Sequence, residues 1–293
     1  MEETHEKEIC CIDKNSREYP KRMKNLPNMP DKLYYIGRLP SDDIPTAAIV
    51  GARNCSIYGR VQAFSFAKAL SSAGVQVISG LAGGIDAEGH KGALEGSMPT
   101  FAVMGNGVDI CYPKSGRGTY RRILQEGGII SEYPPGTSPR AYFFPARNRI
   151  ISALSDVVLV VEAREKSGSL ITAGYALEQG KAVYAVPGAV GDALSLGCHK
   201  LIYDGAGIAF CPEIILAEWG ISPEKEKQEE KNNQLVLASD LDLVYSCLDL
   251  RPQSLEYIIQ KTGFSAAKTS SLLMELELMG LAGESAMQFF RKA

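Results

Sequence analysis

At 293 residues, 45% apolar and 22% charged, the chain can bury one full-sized core and has room for a small companion domain. Its formal net charge of −3 excludes an overall basic field that would hold a polyanion unaided, so any nucleic-acid contact has to come from a local patch. Seven scattered cysteines without a CxxC pair argue against zinc and fit reduced thiols. The charged start MEETHEKEICC and the absence of any apolar run near the about 20 residues of a membrane span predict a cytoplasmic protein with no membrane contact.

Residues 1–45 carry Pro20, Pro27, Pro30, Pro40 and Pro45, too broken for a long helix, and predict an extended lead-in packed on the main domain. From Thr46 to Ile221 short apolar runs alternate with helical periods: TAAIVG then YGRVQAFSFAKALSSAG, VQVISG then IDAEGHKGALEG, TFAVMG then GRGTYRRILQEG, GIISE then NRIISALS, DVVLVVEA then SLITAGYALEQG, and AVYAVPG. This alternation predicts an α/β domain with a doubly wound, mostly parallel sheet, its central strands buried on both faces. Residues 222–234, SPEKEKQEEKNNQ, read as a solvated linker. Residues 235–293 carry three helical patterns and a final wing-like segment, a winged helix with Gly263 at the turn and Ser265 capping the third helix.

Three segments stand out within the main domain: VGARNCSIYG at 50–59, SGLAGGID at 79–86 and FPARNR at 144–149. Each adjoins an apolar run and reads as a loop at the carboxyl end of a parallel strand, where backbone N–H groups collect phosphates. Gly51, Gly80, Gly83 and Gly84 permit close backbone approach, and Arg53, Arg147 and Arg149 supply guanidinium groups for phosphates or base faces. The dinucleotide fingerprint, the ATP-binding P-loop and the G-x-S-x-G nucleophile elbow are all absent, which predicts a binder with no cofactor rather than an enzyme.

VGARNCSIYG, SGLAGGIDAEGHKGAL, VMGNGVDICYP, GIISEYPPG, FPARNRIISALSDVVLVVEA, KSGSLITAGYALEQGK, AVPG and LIYDGA, in this order, resemble the DNA-processing protein A family (DprA, also called Smf). The resemblance covers residues 19–210 and implies an extended Rossmann-like domain. It also implies a DNA-binding homodimer that protects incoming or processed single-stranded DNA and loads the RecA recombinase during natural transformation or recombination. Carried over residue by residue, Gly51, Ala52 and Arg53 form a phosphate loop, and Ser79, Gly80, Gly83 and Gly84 shape its neighbour, with Asp86 capping the following helix. Arg147, Asn148 and Arg149 match the family's RNR segment; Lys166, Ser167, Gly168 and Ser169 match its KSGS turn. Gly83 departs from the pattern, standing where the family usually has a basic residue.

Other readings of the same residues stay open. Arg147 and Arg149 could pair internally with Glu132 or Glu162, His90 could be structural, and Tyr58, Phe143 or Phe144 could stack on bases. The tail beyond Gln234 carries five basic and seven acidic residues, which suits a protein-binding winged helix better than one that reads duplex DNA. The rival functional class is a nucleotide-binding hydrolase of the lysine-decarboxylase-like phosphoribohydrolase type, for which Glu162 and Glu178 are the nearby acids.

Overall fold

The computed structural model describes residues 8–222, 239–249, 252–285 and 288–291. Beyond Ser222, the predicted linker lies outside them. The chain divides into two compact units, Met1–Pro223 and Glu224–Ala293.

In chain order the first unit runs β1 (Ile9–Asp13), α1 (Lys21–Lys24), β2 (Lys32–Gly37), β3 (Thr46–Val50), α2 (Ile57–Ser72), β4 (Gln76–Ser79), α3 (Ile85–Leu94) and β5 (Thr100–Met104). It continues with a 3₁₀ turn at Lys114–Gly116, α4 (Arg117–Glu126), β6 (Gly128–Ser131), α5 (Phe143–Leu154), β7 (Val157–Val160), α6 (Gly168–Glu178), β8 (Ala182–Ala185), α7 (Leu196–Tyr203), β9 (Gly207–Ile208) and α8 (Pro212–Leu216). The nine strands form one sheet in the order β1-β2-β6-β5-β4-β3-β7-β8-β9. From β6 to β9 all neighbours are parallel. The doubly wound, Rossmann-like sheet expected from the alternating runs is therefore present.

Every residue of β3 through β7 is buried, as required of strands covered on both faces. One cover is built from α2, whose Ala63, Phe66, Ala67 and Leu70 recur on one helical face, with Ile85 and Ala93 of α3 and Ile215 of α8. The opposite cover uses Ile150, Ile151 and Leu154 of α5, Ala173 and Ala176 of α6, and Met23 of α1. Tyr120 and Ile123 of α4 close a third cluster over β5 and β6.

The proline-rich beginning is more than an extended lead-in, because β1 pairs antiparallel with β2, and β2 antiparallel with β6. Its prolines flank these short strands without interrupting them. Arg22 ties the segment to the sheet. Its guanidinium reaches both Asp156 carboxylate oxygens at 2.8 and 2.9 Å and donates to the carbonyls of Ser41 and Ile44.

The second unit contains α9 (Ser239–Ser246), β10 (Gln253–Ser254), α10 (Leu255–Thr262), α11 (Ala266–Leu278), β11 (Ala282–Ser285) and β12 (Gln288–Arg291), with its strands ordered β10-β12-β11. This is the winged-helix pattern. Gly263 ends α10 at φ +71°, and the Ser265 hydroxyl accepts the Lys268 N–H at 3.3 Å to start α11. Lys268, the single lysine of α11, pairs with Asp240 at 2.7 Å. Met274 and Leu278 are 65% and 85% exposed, so the outward side of this helix is apolar and acidic, without the cations that a groove reader carries.

Candidate nucleic-acid interface

The strand order reverses between β3 and β7. The chain steps outward from β3 through β4 and β5 to β6, then returns to place β7 on the other side of β3. Parallel register from Ala47 with Val157 to Val50 with Val160 brings their carboxyl ends level. Crevices at such reversals are the common ligand sites of open α/β sheets. A cleft of about 540 Å³ opens here, lined by Gly51 and Arg53 after β3, Ala82 and Asp86 of the second segment, Ser167, Gly168 and Ser169 at the start of α6, and one face of α5.

The third segment, FPARNR, differs from the expected loop: it lies within the first turns of α5. Pro145 is the third residue of this helix, where N–H groups have no intrahelical acceptor and proline is tolerated. Helical spacing then decides which side chains face the cleft. Phe144, Arg147, Asn148 and Ile151 line it together, at i, i+3, i+4 and i+7, whereas Arg149 turns away. Both Arg149 terminal nitrogens contact the Glu132 carboxylate, at 3.0 and 2.6 Å, so the internal-partner reading holds for this arginine.

Arg147 is 3% exposed. Its Nη1 donates to the Gly80 carbonyl at 2.8 Å and to the Val103 carbonyl. Asp86 accepts the Gly80 N–H at 3.2 Å, so Gly80 is held at its N–H and at its carbonyl by two buried ionisable side chains. Burial pushes the Asp86 carboxyl up while Arg147 draws it down, and burial lowers the Arg147 guanidinium to about 10 against the pull of Asp86. Asp86 is thus a brace of this turn and not the expected helix cap. The cap residue of α3 is Gly84, which has no side-chain cap bond.

Two other expected contacts are also committed internally. The Ala52 N–H donates to the Glu162 carbonyl at 2.7 Å, and the Ala52 carbonyl accepts from Ile85 at 3.2 Å. Buried Ser79 donates its hydroxyl to Ile49 at 2.6 Å. A Cβ at Gly51 would lie 2.6 Å from the Ile85 side chain, which is why the first two loops can pack so closely. Gly83 differs, since a Cβ there would meet only the Arg53 carbonyl, at 3.9 Å. Its position has space for a side chain.

What faces the cleft is polar and aromatic. Arg53 is exposed, with its guanidinium 5.4 Å from the Phe144 ring centroid. Tyr112 stacks on Phe144 at 5.5 Å and is 41% exposed. Sequence reasoning missed Tyr112, although VMGNGVDICYP follows β5 at the same sheet edge as the other segments. Ser167 caps α6 through the Ser169 N–H at 3.4 Å. Asn148 donates to the Gly168 carbonyl at 3.2 Å, joining α5 to that turn. Lys166 is exposed beside the turn but is not in the lining. Of the other aromatic candidates, Phe143 packs on Tyr133 at 3.9 Å and Tyr58 donates to the Pro187 carbonyl at 3.0 Å.

The acids and histidine named as chemical candidates lie elsewhere. Glu162 is 3% exposed and holds the start of α2 by accepting the Ser56 N–H at 2.9 Å and the Ser56 hydroxyl at 2.5 Å. Glu178, at the end of α6, is exposed, and neither acid lines the cleft. Fully buried His90 is held by Thr100 at 2.8 Å and is pushed down to about 3 by burial and by Arg147, so it stays neutral. Among the described residues no His, Cys, Asp and Glu cluster could hold a metal ion, and no helix is long and apolar enough to cross a membrane. The arrangement can bind a phosphate through hydroxyls, backbone and one free guanidinium, and can stack a flat ring beside it.

Comparison with known proteins agrees along the chain. Residues 10–220 match the family described as DNA recombination-mediator protein A, and residues 228–285 match the DprA winged helix domain. The chain is 32% identical to the protein Smf of Synechocystis, over all of this chain and 82% of that one. It superposes on the X-ray structure of DNA processing protein A from Streptococcus pneumoniae with a TM-score of 0.69 and 38% identity, covering 72% of this chain and 74% of that one. DNA processing protein A from Helicobacter pylori, whose single-stranded DNA binding mode has been described structurally, gives a TM-score of 0.66 and 30% identity, covering 73% and 96%. Taken with the cleft at the strand reversal and the motifs that build it, these matches establish that the chain belongs to the DNA recombination-mediator protein A family.

Proposed function

We propose that this protein binds single-stranded DNA in the β3–β7 cleft, protects the strand and promotes its loading with the RecA recombinase, acting as a cytoplasmic homodimer in natural transformation and recombination. The observation that carries the DNA reading is the layered group of Arg53, Phe144 and Tyr112 beside the α6 turn. A guanidinium for phosphate and aromatic rings for a base lie within one cleft. Unpaired bases offer free faces to such rings, while bases in a duplex do not. The Helicobacter pylori relative supports the same partner. Gly51, Arg53, Asn148, Ser167, Gly168 and Ser169 make the direct contacts in this reading, with Lys166 and Gly83 at the rim. Ala52, Ser79, Gly80, Gly84, Arg147 and Arg149 hold the loops in shape. A dimer would present two such clefts to one strand and raise the effective concentration for filament nucleation.

Fluorescence anisotropy with a labelled strand and its duplex, across a salt series, tests the proposal. Arg53→Ala should weaken single-strand binding by about tenfold or more, as expected for loss of a charged hydrogen bond worth about 1.5–3 kcal/mol. It should also make the plot of log affinity against log salt shallower by about 0.7, one single-strand phosphate contact. Equal affinity for strand and duplex would overturn the reading. Because the Gly83 site has room, Gly83→Arg should fold normally and tighten binding by about tenfold through one added phosphate contact; unchanged affinity with a normal melting curve would place this rim position away from the strand.

A further inference from the structure

Helix α11 of the second unit buries Thr269, Leu273 and Leu276. The side opposite them carries Ala267, Ser271, Met274 and Leu278, all exposed. They are spaced by four, three and four residues, the seam spacing of a helix that pairs with another. Neighbouring α10 exposes Glu256, Tyr257, Gln260 and Lys261 instead, all with polar ends. We propose that the seam of α11 pairs antiparallel with the same seam on a second copy of the chain. The inference rests on the homodimer reading above for that second copy, and names a surface for it within the second unit.

Side-chain size decides the direction. Along the seam the residues grow from small to large, Ala267 and Ser271 in the first half and Met274 and Leu278 in the second. A two-fold axis between Ser271 and Met274 sets Ala267 of each copy against Leu278 of the other, and Ser271 against Met274. Every layer then joins one small and one large side chain, so the contact fills evenly and the same patch serves both copies. A parallel pair would crowd Leu278 against Leu278 at one end and leave Ala267 facing Ala267 at the other.

Charge agrees with the antiparallel direction. Exposed Lys268 and Glu275 flank the seam on one side, seven residues apart. In this register each Lys268 comes beside Glu275 of the second copy, offset along the axis by about 3 Å, whereas the two Glu275 residues are offset by about 7.5 Å. Lys268 is already steadied by Asp240 at 2.7 Å, so the arriving carboxylate meets a cation whose motion is restricted.

The seam is short. From Ala267 to Leu278 it runs about 16 Å, and a contact of that length falls below the about 1,200 Å² at which stable interfaces begin. Such a contact is weak between separate molecules. It becomes effective between copies already held near one another, where effective concentrations reach the millimolar range.

The test uses two variants of the full chain, A267C and L278C, under mild oxidation. Either variant alone places its new thiols about 16 Å apart along the seam, beyond the about 4.4–6.8 Å between the Cα atoms of a disulfide. An equimolar mixture sets them opposite each other. The mixture should therefore give a disulfide-linked dimer on a non-reducing gel, while either variant alone should match the wild type, whose seven thiols set the background. Sedimentation velocity over a micromolar-to-millimolar dilution series should show mass rising with concentration for the wild type and for S271A, which keeps its layer small. The rise should be flatter for L278E, which brings a carboxylate into the seam. A mixture that cross-links no more than its components would overturn the inference, as would strong cross-linking by either variant alone. A mass series unchanged by L278E would overturn it too, and a chain dimeric throughout that series would leave the homodimer reading standing on another surface. Wild-type protein monomeric at every concentration would remove both.

Discussion

Arg147→Met should cost the main unit about 3–5 kcal/mol, because it leaves the buried Asp86 carboxylate without its compensating charge and removes charged donors from two carbonyls. For a unit of this size the loss corresponds to a melting temperature lower by roughly 6–20 °C. Methionine fills much of the volume, so the loss reports electrostatics more than packing. The charges of Arg147 and Asp86 act across the Gly80 peptide, which both of them hold. Adding Asp86→Asn should therefore recover part of the stability, since no charge then stays buried alone. Thermal unfolding of the two single variants and the double variant measures that coupling. Strict additivity would show that the two charges do not act as a unit.

Gly84→Ala should be nearly as damaging, for a reason lying in the backbone. Gly84 adopts φ +75° and ψ −127°, a region entered almost only by glycine. An added Cβ would also collide with the carbonyl oxygens of Ala52 and Arg53. Strain of about 1–3 kcal/mol plus that collision should lower the melting temperature by roughly 5–10 °C, and single-strand affinity should fall because Arg53 moves with its loop. Gly83→Ala, one residue away, is the control. Its Cβ has open space, so stability should change by less than about 0.5 kcal/mol. Similar melting curves for Gly83→Ala and Gly84→Ala would show that the first loop gives way without cost.

The sheet was legible because β3 to β7 are short, mostly apolar and punctuated by glycine, and the second unit because Gly263 and Ser265 mark its turn. The first two strands were not, since ICCID and KLYYIG are only partly buried and their prolines dominate the local signal. At the cleft, the motifs gave the segments that line it but not which of their side chains face it. FPARNR carries a proline beside an aromatic residue and so reads as loop, yet it folds as helix, and only the helical period separates cleft-facing Arg147 and Asn148 from Arg149. Which arginine is buried and which is free depends on Glu132, Asp86 and Gly80, partners that lie from 17 to 67 residues away in the chain. The sequence offers Glu132 as a partner but does not say which arginine takes it.

Arg53 is held in place by the face of Phe144, and among the described residues no carboxylate lies within 4.0 Å of it. A guanidinium anchored by an acid has to break that pair before it can receive a phosphate. One anchored by a ring keeps its full charge while its side-chain motion is already restricted. On the proposed reading an arriving phosphate would therefore displace no competing ion, and capture at this residue should proceed at the pace of electrostatic encounter, fast at low ionic strength and slowing as salt screens the approach.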